Sequence, residues 1–343
     1  MSKILYVVPH LDEIGGIQKF ALTMYTTLRE DFNIELINWK TNWNLPTRAM
    51  LYTNLFYPPI LDSRFKDIKD KVREAALVHF WHPDLARPFS DISNYIISCH
   101  GKEVLPANIT YFQRKSYQKI FKKAKAVHVN SKYTGFLVKN IVNIEPKVIN
   151  PPIDYEKLSS YRPLNQEKLT IGSICRFERR KNIPNIIRAL ELLNEKIDFK
   201  YFLAGSGIEE NKVLKLLENS NFEWKYFKRI SDEDKFSRFY PSLNIFLMPT
   251  LDLPDDVEGY GIVYLEANAF GIPVIASKVG GVSDAVEEHV SGEFADPTNP
   301  EDIAEKILSL AERKNELKEL CRNHARKFDI KPISKRFKEL YES

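Results

Sequence analysis

Three cysteines serve 343 residues, and they stand far apart at Cys99, Cys175 and Cys321. That spacing excludes a metal-knuckle pattern and a paired disulfide framework, and it suits a reducing compartment such as the cytoplasm. Long apolar runs are missing too. Ile4–Val8 is too short for a signal peptide, and no stretch approaches the roughly 20 apolar residues of a membrane span. Neither sign of charge dominates: 50 Lys and Arg against 46 Asp and Glu leave a net +4, too mild a balance to point to nucleic acid. Internal repeats and low-complexity tracts are absent. What remains is a chain 43% hydrophobic, long enough for one or two domains with real cores.

The most informative stretch is Glu258–Ser277, EGYGIVYLEANAFGIPVIAS. Gly259 and Gly261 bracket Tyr260, a pattern for a backbone that turns sharply or lets a ligand come close. Ile262, Leu265 and Ala269 recur at helical spacing and predict a helix from about Gly261 to Phe270. Gly271 stops it, Pro273 stands just beyond, and Val274-Ile275-Ala276 reads as a strand buried on both faces. The turn therefore lies at a helix N-terminus, where unpaired N–H groups and the helix dipole favour an anion. Glu258 precedes the turn, and Glu266 follows it by more than one helical turn. Two carboxylates beside one phosphate would repel it, yet carboxylates accept hydrogen bonds well from hydroxyls. A ligand with phosphate in its middle and hydroxyls at both ends, such as a nucleotide sugar, satisfies the whole set. Chance accounts for two glutamates eight apart in a chain this charged. It accounts less readily for the glycines, the helix stop and the strand arriving with them.

This stretch resembles the E-x7-E signature of the retaining glycosyltransferases of family 4. The resemblance implies the GT-B fold, an α/β architecture of two Rossmann-like domains facing each other across a deep inter-domain cleft. It implies a nucleotide-sugar donor held by the second domain and an acceptor on the side of the first. Glu258 would orient the donor sugar through its hydroxyls and Glu266 would bind the ribose. Gly259, Tyr260, Gly261, Ile262 and Val263 would also contact the donor.

The N-terminal half opens with Ile4–Val8, a buried strand, then a loop ending in Gly15-Gly16, then helical periodicity over Ile17–Leu28. Strand, glycine turn and helix begin a nucleotide-type α/β unit, without the G-x-G-x-x-G of a dinucleotide fold. A Gly-Gly pair is often only a turn; the resemblance makes Gly15 and Gly16 points where backbone approaches the donor phosphate and acceptor region. Ile34–Trp39 predicts a second strand. Asn42–Tyr57, aromatic and polar, is either an irregular connection or part of an acceptor site. Strands follow at Leu77–Trp81 and Tyr95–Cys99. The latter delivers His100-Gly101-Lys102-Glu103 at its carboxyl end, where open α/β sheets bind ligands. A lone histidine is more often structural than catalytic. The resemblance implies a catalytic position for His100 beside the transferred sugar, and points to Glu103 as an acceptor contact. Tyr111–Val127 carries Arg114, Lys115, Lys119, Lys122, Lys123 and Lys125 and no acid, interleaved with Tyr111, Phe112, Tyr117 and Phe121. That is either a solvated helix face or a surface for an anionic membrane, which would suit a lipid-linked acceptor. No nucleic-acid module accompanies it. Ala126–Ser131 predicts a strand leading to a helix capped near Ser131.

Val148–Asp154 resembles the family's crossing into the second domain, and the polar stretch 159–168 predicts the linker. It divides the chain into an acceptor-side domain, 1–158, and a donor domain, 159–327, with the C-terminal helix 328–343 returning to the first. Leu169–Cys175 is a strand ending in Arg176-Phe177-Glu178-Arg179-Arg180-Lys181-Asn182, and a helix opens near Ile183-Pro184. Four cations between a strand end and a helix start suit a diphosphate. An arginine, then a lysine five later before asparagine, is the family pattern, so the resemblance assigns Arg176 and Lys181 to the donor diphosphate. Lys200–Ala204 predicts a strand running into Gly205-Ser206-Gly207, and Trp224–Phe227 another before Arg229-Ile230. The resemblance implies donor contacts at Gly205 and Gly207 and the nucleotide base at Arg229 and Ile230. Ser231 before Asp232-Glu233-Asp234 reads as a helix cap rather than a metal site. Asp252, Asp255 and Asp256 read as a solvated loop, and with Arg176 and Lys181 supplying positive charge no metal is expected. Asp302–Ala311 and Phe328–Tyr341 predict helices.

The expectation is a cytoplasmic, metal-independent, retaining hexosyltransferase, peripheral at most on the inner face of a membrane. It would move a sugar from a UDP- or GDP-sugar to a hydroxyl of a glycan or lipid-linked acceptor, in cell-surface polysaccharide, lipopolysaccharide or glycoconjugate synthesis. Two other classes stay open. A nucleotide-sugar epimerase or hydrolase on the same fold would turn over donor without transfer. A non-catalytic partner subunit would keep the fold but lose the site, and the presence of Arg176, Lys181, Glu258 and Glu266 argues against it.

Overall fold

The computed structural model describes residues 3–12, 15–39, 65–164 and 166–343; the stretch 42–57 lies outside them. The chain divides into two compact units, Met1–Pro151 with Ile330–Ser343, and Pro152–Asp329.

The first unit is built on six parallel strands, β1 (Lys3–Pro9), β2 (Asn33–Trp39), β3 (Leu77–Phe80), β4 (Tyr95–Cys99), β5 (Ala126–Val129) and β6 (Lys147–Val148), in the spatial order β2-β1-β3-β4-β5-β6. Its central strands read as unbroken apolar runs because both faces are covered; Leu5–Val8 and Tyr95–Ile97 have no exposure. The helices Gly16–Leu28 and Ile330–Glu342 share one core, in which Phe20, Met24 and Leu28 meet Phe337, Leu340 and Tyr341 around Tyr6 and Trp81.

A chain of polar side chains runs through that core. His128 Nε2 lies 2.9 Å from the Ile149 carbonyl and Nδ1 2.6 Å from Ser98 Oγ. Ser98 Oγ is 2.7 Å from His79 Nε2, His79 Nδ1 is 2.8 Å from the Tyr341 hydroxyl, and that hydroxyl meets Tyr6. A carbonyl can only accept, so one proton arrangement satisfies every member. His128 Nε2–H donates to Ile149, Ser98 to His128, His79 Nε2–H to Ser98, Tyr341 to His79 and Tyr6 to Tyr341. Both imidazoles are neutral in it.

The second unit has six parallel strands: β7 (Leu169–Arg176), β8 (Phe199–Ser206), β9 (Glu223–Phe227), β10 (Ile245–Leu247), β11 (Val274–Ala276) and β12 (Gly292–Phe294), ordered β12-β11-β10-β7-β8-β9. One core lies beneath the helices Ile183–Asn194 and Pro300–Arg326, another around Tyr240, Tyr264, Leu265 and Phe270.

The crossing between units lies at Pro151-Pro152, ahead of the expected linker at 159–168. Ile153, Tyr155 and Leu158 are already buried in the second unit. The returning chain is tied beside them: the Ile153 N–H donates to the Phe328 carbonyl at 2.9 Å, and the Tyr155 N–H to Asp329 at 3.0 Å. The helix predicted over Asp302–Ala311 runs through Pro300–Arg326. Its later turns bury only Leu317, Cys321, His324 and Ala325, a sparse stripe hidden among charges.

Candidate active site

All strands of the second unit are parallel, so the loops after β7, β8 and β10 emerge along one edge of the sheet. They are laced together. The Phe177 N–H donates to the Ser206 carbonyl at 2.8 Å, the Glu209 N–H to the Phe177 carbonyl at 3.1 Å, and the Leu251 N–H to the Arg180 carbonyl at 2.8 Å. Gly205 and Gly207 serve this lacing. A Cβ on Gly205, which has φ +133°, would fall 1.9 Å from the Cys175 carbonyl oxygen, and one on Gly207 would fall 2.5 Å from that of Phe177.

Arg179–Lys181 forms a single 3-10 turn, closed by Asn182 in the left-handed conformation with φ 59°. Asn182 is held by its amide, which donates to the carbonyls of Pro249 at 3.0 Å and Pro297 at 2.6 Å. The turn aims two consecutive cations at one acid. Arg180 Nη1 and Lys181 Nζ both donate to Glu258 Oε2. Arg180 Nε lies 3.2 Å from Asp256 Oδ2, ion-pair range but off the line of an N–H···O bond, and its Nη2 lies 4.0 Å from Glu178. The side chains of Arg180, Lys181 and Glu258 are only 11%, 11% and 13% exposed. Burial alone would raise the Glu258 pKa; Lys181 and Arg180 outweigh it and hold the carboxyl down at about 2. Among the described residues Glu258 Oε1 has no hydrogen-bond partner.

Asp256, expected in a solvated loop, thus belongs to this cluster, brought there by a tight turn with a Leu253–Asp256 bridge. Arg176 does not: its side chain is 70% exposed and lies 3.7 Å from Glu178. Sequence reasoning paired Arg176 with Lys181 and passed over Arg180, although the density of cations in the loop was the signal.

The helix Ile262–Ala269 begins just after Glu258, with no side-chain cap. Gly261 has φ +90°, and a Cβ there would strike the Tyr264 ring at 2.4 Å, so this turn requires glycine. Glu266 faces inward: Oε1 accepts from Lys235 Nζ at 2.8 Å and Oε2 from the Tyr240 hydroxyl at 2.8 Å. Both acids of the motif therefore carry buried cationic partners. Ile262 and Val263 are half-buried. Tyr260 is 3% exposed, its side chain packed in the core and its hydroxyl without a partner among the described residues, which leaves its backbone N–H as the group a donor could reach. Arg229 and Ile230 border a cavity of about 350 Å³ with Phe202, Phe227 and Phe239.

In the first unit Gly15 caps the helix Gly16–Leu28, its N–H bonded to Gln18 Oε1 at 3.1 Å, while Gln18 donates to the Pro9 carbonyl at 2.7 Å. A Cβ on exposed Gly16 would meet nothing within 4 Å. His100 Nε2 lies 3.1 Å from the Trp81 carbonyl and so carries the proton. Burial is the main cause that lowers its pKa to about 3. Glu103 turns back to accept the His100 backbone N–H, so one of its oxygens is spent on the turn.

Ser231 accepts the Asp234 N–H at 3.0 Å, as a cap. Among the described residues one cluster, Glu288, His289 and Glu293, has metal-compatible spacing. Cations already serve its acids: Lys278 lies 2.7 Å from Glu288 and Arg313 3.1 Å from Glu293.

Residues 154–328, just over half the chain and nearly the whole second unit, match the family of glycosyl transferases group 1. The chain belongs to that family. A GDP-mannose-dependent monoacylated alpha-(1-6)-phosphatidylinositol monomannoside mannosyltransferase of Corynebacterium glutamicum is 27% identical over 238 residues, covering 64% of this chain and 61% of the relative. A capsular polysaccharide biosynthesis glycosyltransferase of Staphylococcus aureus, CapM, is 31% identical over 165 residues, or 46% and 41%. The chain spans about half the length of the curated relatives it matches. HepE of Anabaena, solved with UDP and glucose, superposes with a TM-score of 0.75 at 17% identity, over 100% of both chains. That likeness, with the two parallel six-stranded sheets, gives this group 1 member the GT-B fold.

Proposed function

We propose that this group 1 protein transfers a sugar from a nucleotide diphosphate to a hydroxyl with the anomeric configuration retained, in polysaccharide or glycoconjugate synthesis. The observation that carries the reading is the Glu258 carboxylate held by Arg180 and Lys181 just ahead of an uncapped helix start. Buried cations beside orphan N–H groups favour a diphosphate and the charge that grows on it as the sugar leaves. Glu258 Oε1 is the atom left to accept a sugar hydroxyl. Glu266 would bind the ribose from a carboxylate fixed by Lys235 and Tyr240. Attack from the face of the departing diphosphate, with a donor phosphate oxygen taking the acceptor's proton, requires no protein nucleophile. The positive charge of Lys181 at the diphosphate, with Arg180 neutralising Glu258 behind it, is what makes a metal dispensable in this scheme. The location proposed with this reading is the cytoplasm; no described helix is long and apolar enough to cross a membrane.

A panel of UDP, GDP, ADP and their sugar conjugates, with and without chelator, tests the reading by thermal shift, since a ligand that binds the native state raises its melting temperature. One nucleotide should stabilise the wild type independently of chelator, and Lys181→Ala should lose most of that shift. Stabilisation by none of them would defeat the proposal. Donor turnover without transfer to any acceptor would favour the hydrolase or epimerase class.

A further inference from the structure

Lys181 and Arg180 converge on the same oxygen of Glu258, yet they are anchored differently. Lys181 has one acid partner, Glu258, and lies 3.8 Å from the Met248 sulfur. Arg180 has acids on three sides, Glu258, Asp256 at 3.2 Å and Glu178 at 4.0 Å, and its own carbonyl is pinned by Leu251. Asp256 is 18% exposed and sits in a tight turn of its own. Departure of Lys181 breaks one ion pair and leaves Glu258 with Arg180, whereas departure of Arg180 would break contacts with three acids at once.

We infer that Arg180, braced by Asp256, is a positioning residue that holds the Glu258 carboxylate in place while Lys181 transfers to the donor diphosphate. This rests on the glycosyl-transfer reading. In the structure Lys181 is paired with Glu258. A diphosphate carries more charge than the carboxylate and competes for the ammonium. Removing Lys181 would leave a buried carboxylate uncompensated, were Arg180 not fixed on the same oxygen. Arg180 therefore keeps Glu258 ionised and Oε1 directed outward at the moment a sugar hydroxyl needs it. A guanidinium suits that task because its fork serves two carboxylates at once. The titratable groups facing Glu258 are Lys181, Arg180 with Asp256 and Glu178 behind it, Cys175 and Tyr264.

The test compares Arg180→Gln, Arg180→Lys, Asp256→Asn and Lys181→Ala in the full chain. Calorimetry measures binding of UDP or GDP, whichever stabilises the wild type. Release of sugar from the matching donor, UDP-glucose or GDP-mannose, gives kcat and KM against pH. Arg180→Gln should bind the nucleoside diphosphate within about threefold of wild type, lose about 100-fold in kcat, and move the acid limb of kcat to higher pH. Arg180→Lys should recover part of kcat, and Asp256→Asn should show the same pattern at about tenfold. Lys181→Ala should lose nucleotide binding instead. If Arg180→Gln weakens binding as much as Lys181→Ala, Arg180 touches the diphosphate and the inference is overturned. An unchanged kcat and acid limb in both Arg180→Gln and Asp256→Asn overturn it equally. A wild type that binds no nucleoside diphosphate takes down the transfer reading itself, a different signature from either. Should Arg180→Gln fail to fold, the more exposed Asp256→Asn decides the same question.

Discussion

One missing methyl group separates two uses of glycine in this chain. Gly205, Gly207 and Gly261 are surrounded by atoms that a Cβ would strike, so their absence of side chain is a packing requirement that reveals nothing about a ligand. Gly16 is the opposite case, with open space around it at the first turn of its helix. Alanine there fits the fold and lowers the entropy of the unfolded chain. Gly16→Ala is therefore expected to hold or raise the melting temperature by a few degrees, and to weaken nucleotide-sugar binding by about tenfold if donor approaches this backbone. Calorimetry beside a thermal melt separates the two effects. Glu258 and Glu266 were legible in the sequence because their spacing is local and the helix between them has a clear periodicity. Arg180 was not. Its partner lies 78 positions away, and among Arg176, Arg179, Arg180 and Lys181 nothing local says which side chain a 3-10 turn will aim inward.

At the scale of elements, strand runs and glycine stops were readable, and the division at Pro151-Pro152 falls inside 148–154, the stretch that resembles the family's crossing, while the length of Pro300–Arg326 was not readable. That length depends on which partner covers a weakly apolar face, and that is a tertiary fact. The helix Tyr111–Lys123 carries the proposal of membrane contact. Tyr117, Ile120 and Phe121 face the core, while Tyr111 and Phe112 at its start are 67% and 50% exposed. On the helix packed against it, Lys132–Ile141, Phe136 is 59% exposed. Exposed rings among lysines suit the interface of an anionic bilayer, where each basic residue near the surface contributes on the order of 1 kcal/mol. The protein should sediment with vesicles containing phosphatidylglycerol and not with pure phosphatidylcholine, with binding falling steeply in salt. Tyr111→Ala with Phe112→Ala should reduce it several-fold at unchanged melting temperature. Equal recovery with both vesicle types, or with the double variant, would return this helix to an ordinary solvated face.

For the whole molecule, the two units carry different acid sensitivities. In the first, burial holds His128 down to about 4 and His100 to about 3, and lowers His79 as well, against 6.5 for a free imidazole. The unfolded chain takes up those protons first, so this contribution is complete above about pH 6.5 and is lost as the pH falls toward 4. In the second, burial lowers a single histidine, His324, against three in the first, and the cations on Glu258 lower its pKa from 4.5 to about 2. Its contribution is complete above about pH 4.5 and is lost only as the pH falls toward 2. Acid titration should therefore unfold Met1–Pro151 with Ile330–Ser343 before Pro152–Asp329. Hydrogen exchange resolved along the chain would check the order, and a single coincident transition near pH 3 would refute it.

The return of the last helix to the first unit also imposes an order in time. Tyr341 closes the hydrogen-bonded chain that begins at Tyr6 and lends its ring to the same core. On the ribosome Tyr341 follows Tyr6 by 335 residues. The segment that emerges second, Pro152–Asp329, is continuous and can finish folding as it clears the exit tunnel. Met1–Pro151 must wait, one face of its sheet uncovered, until the helix Ile330–Glu342 arrives. Of the two units, the one begun earlier is the one completed later, and until then it is the one a chaperone would find.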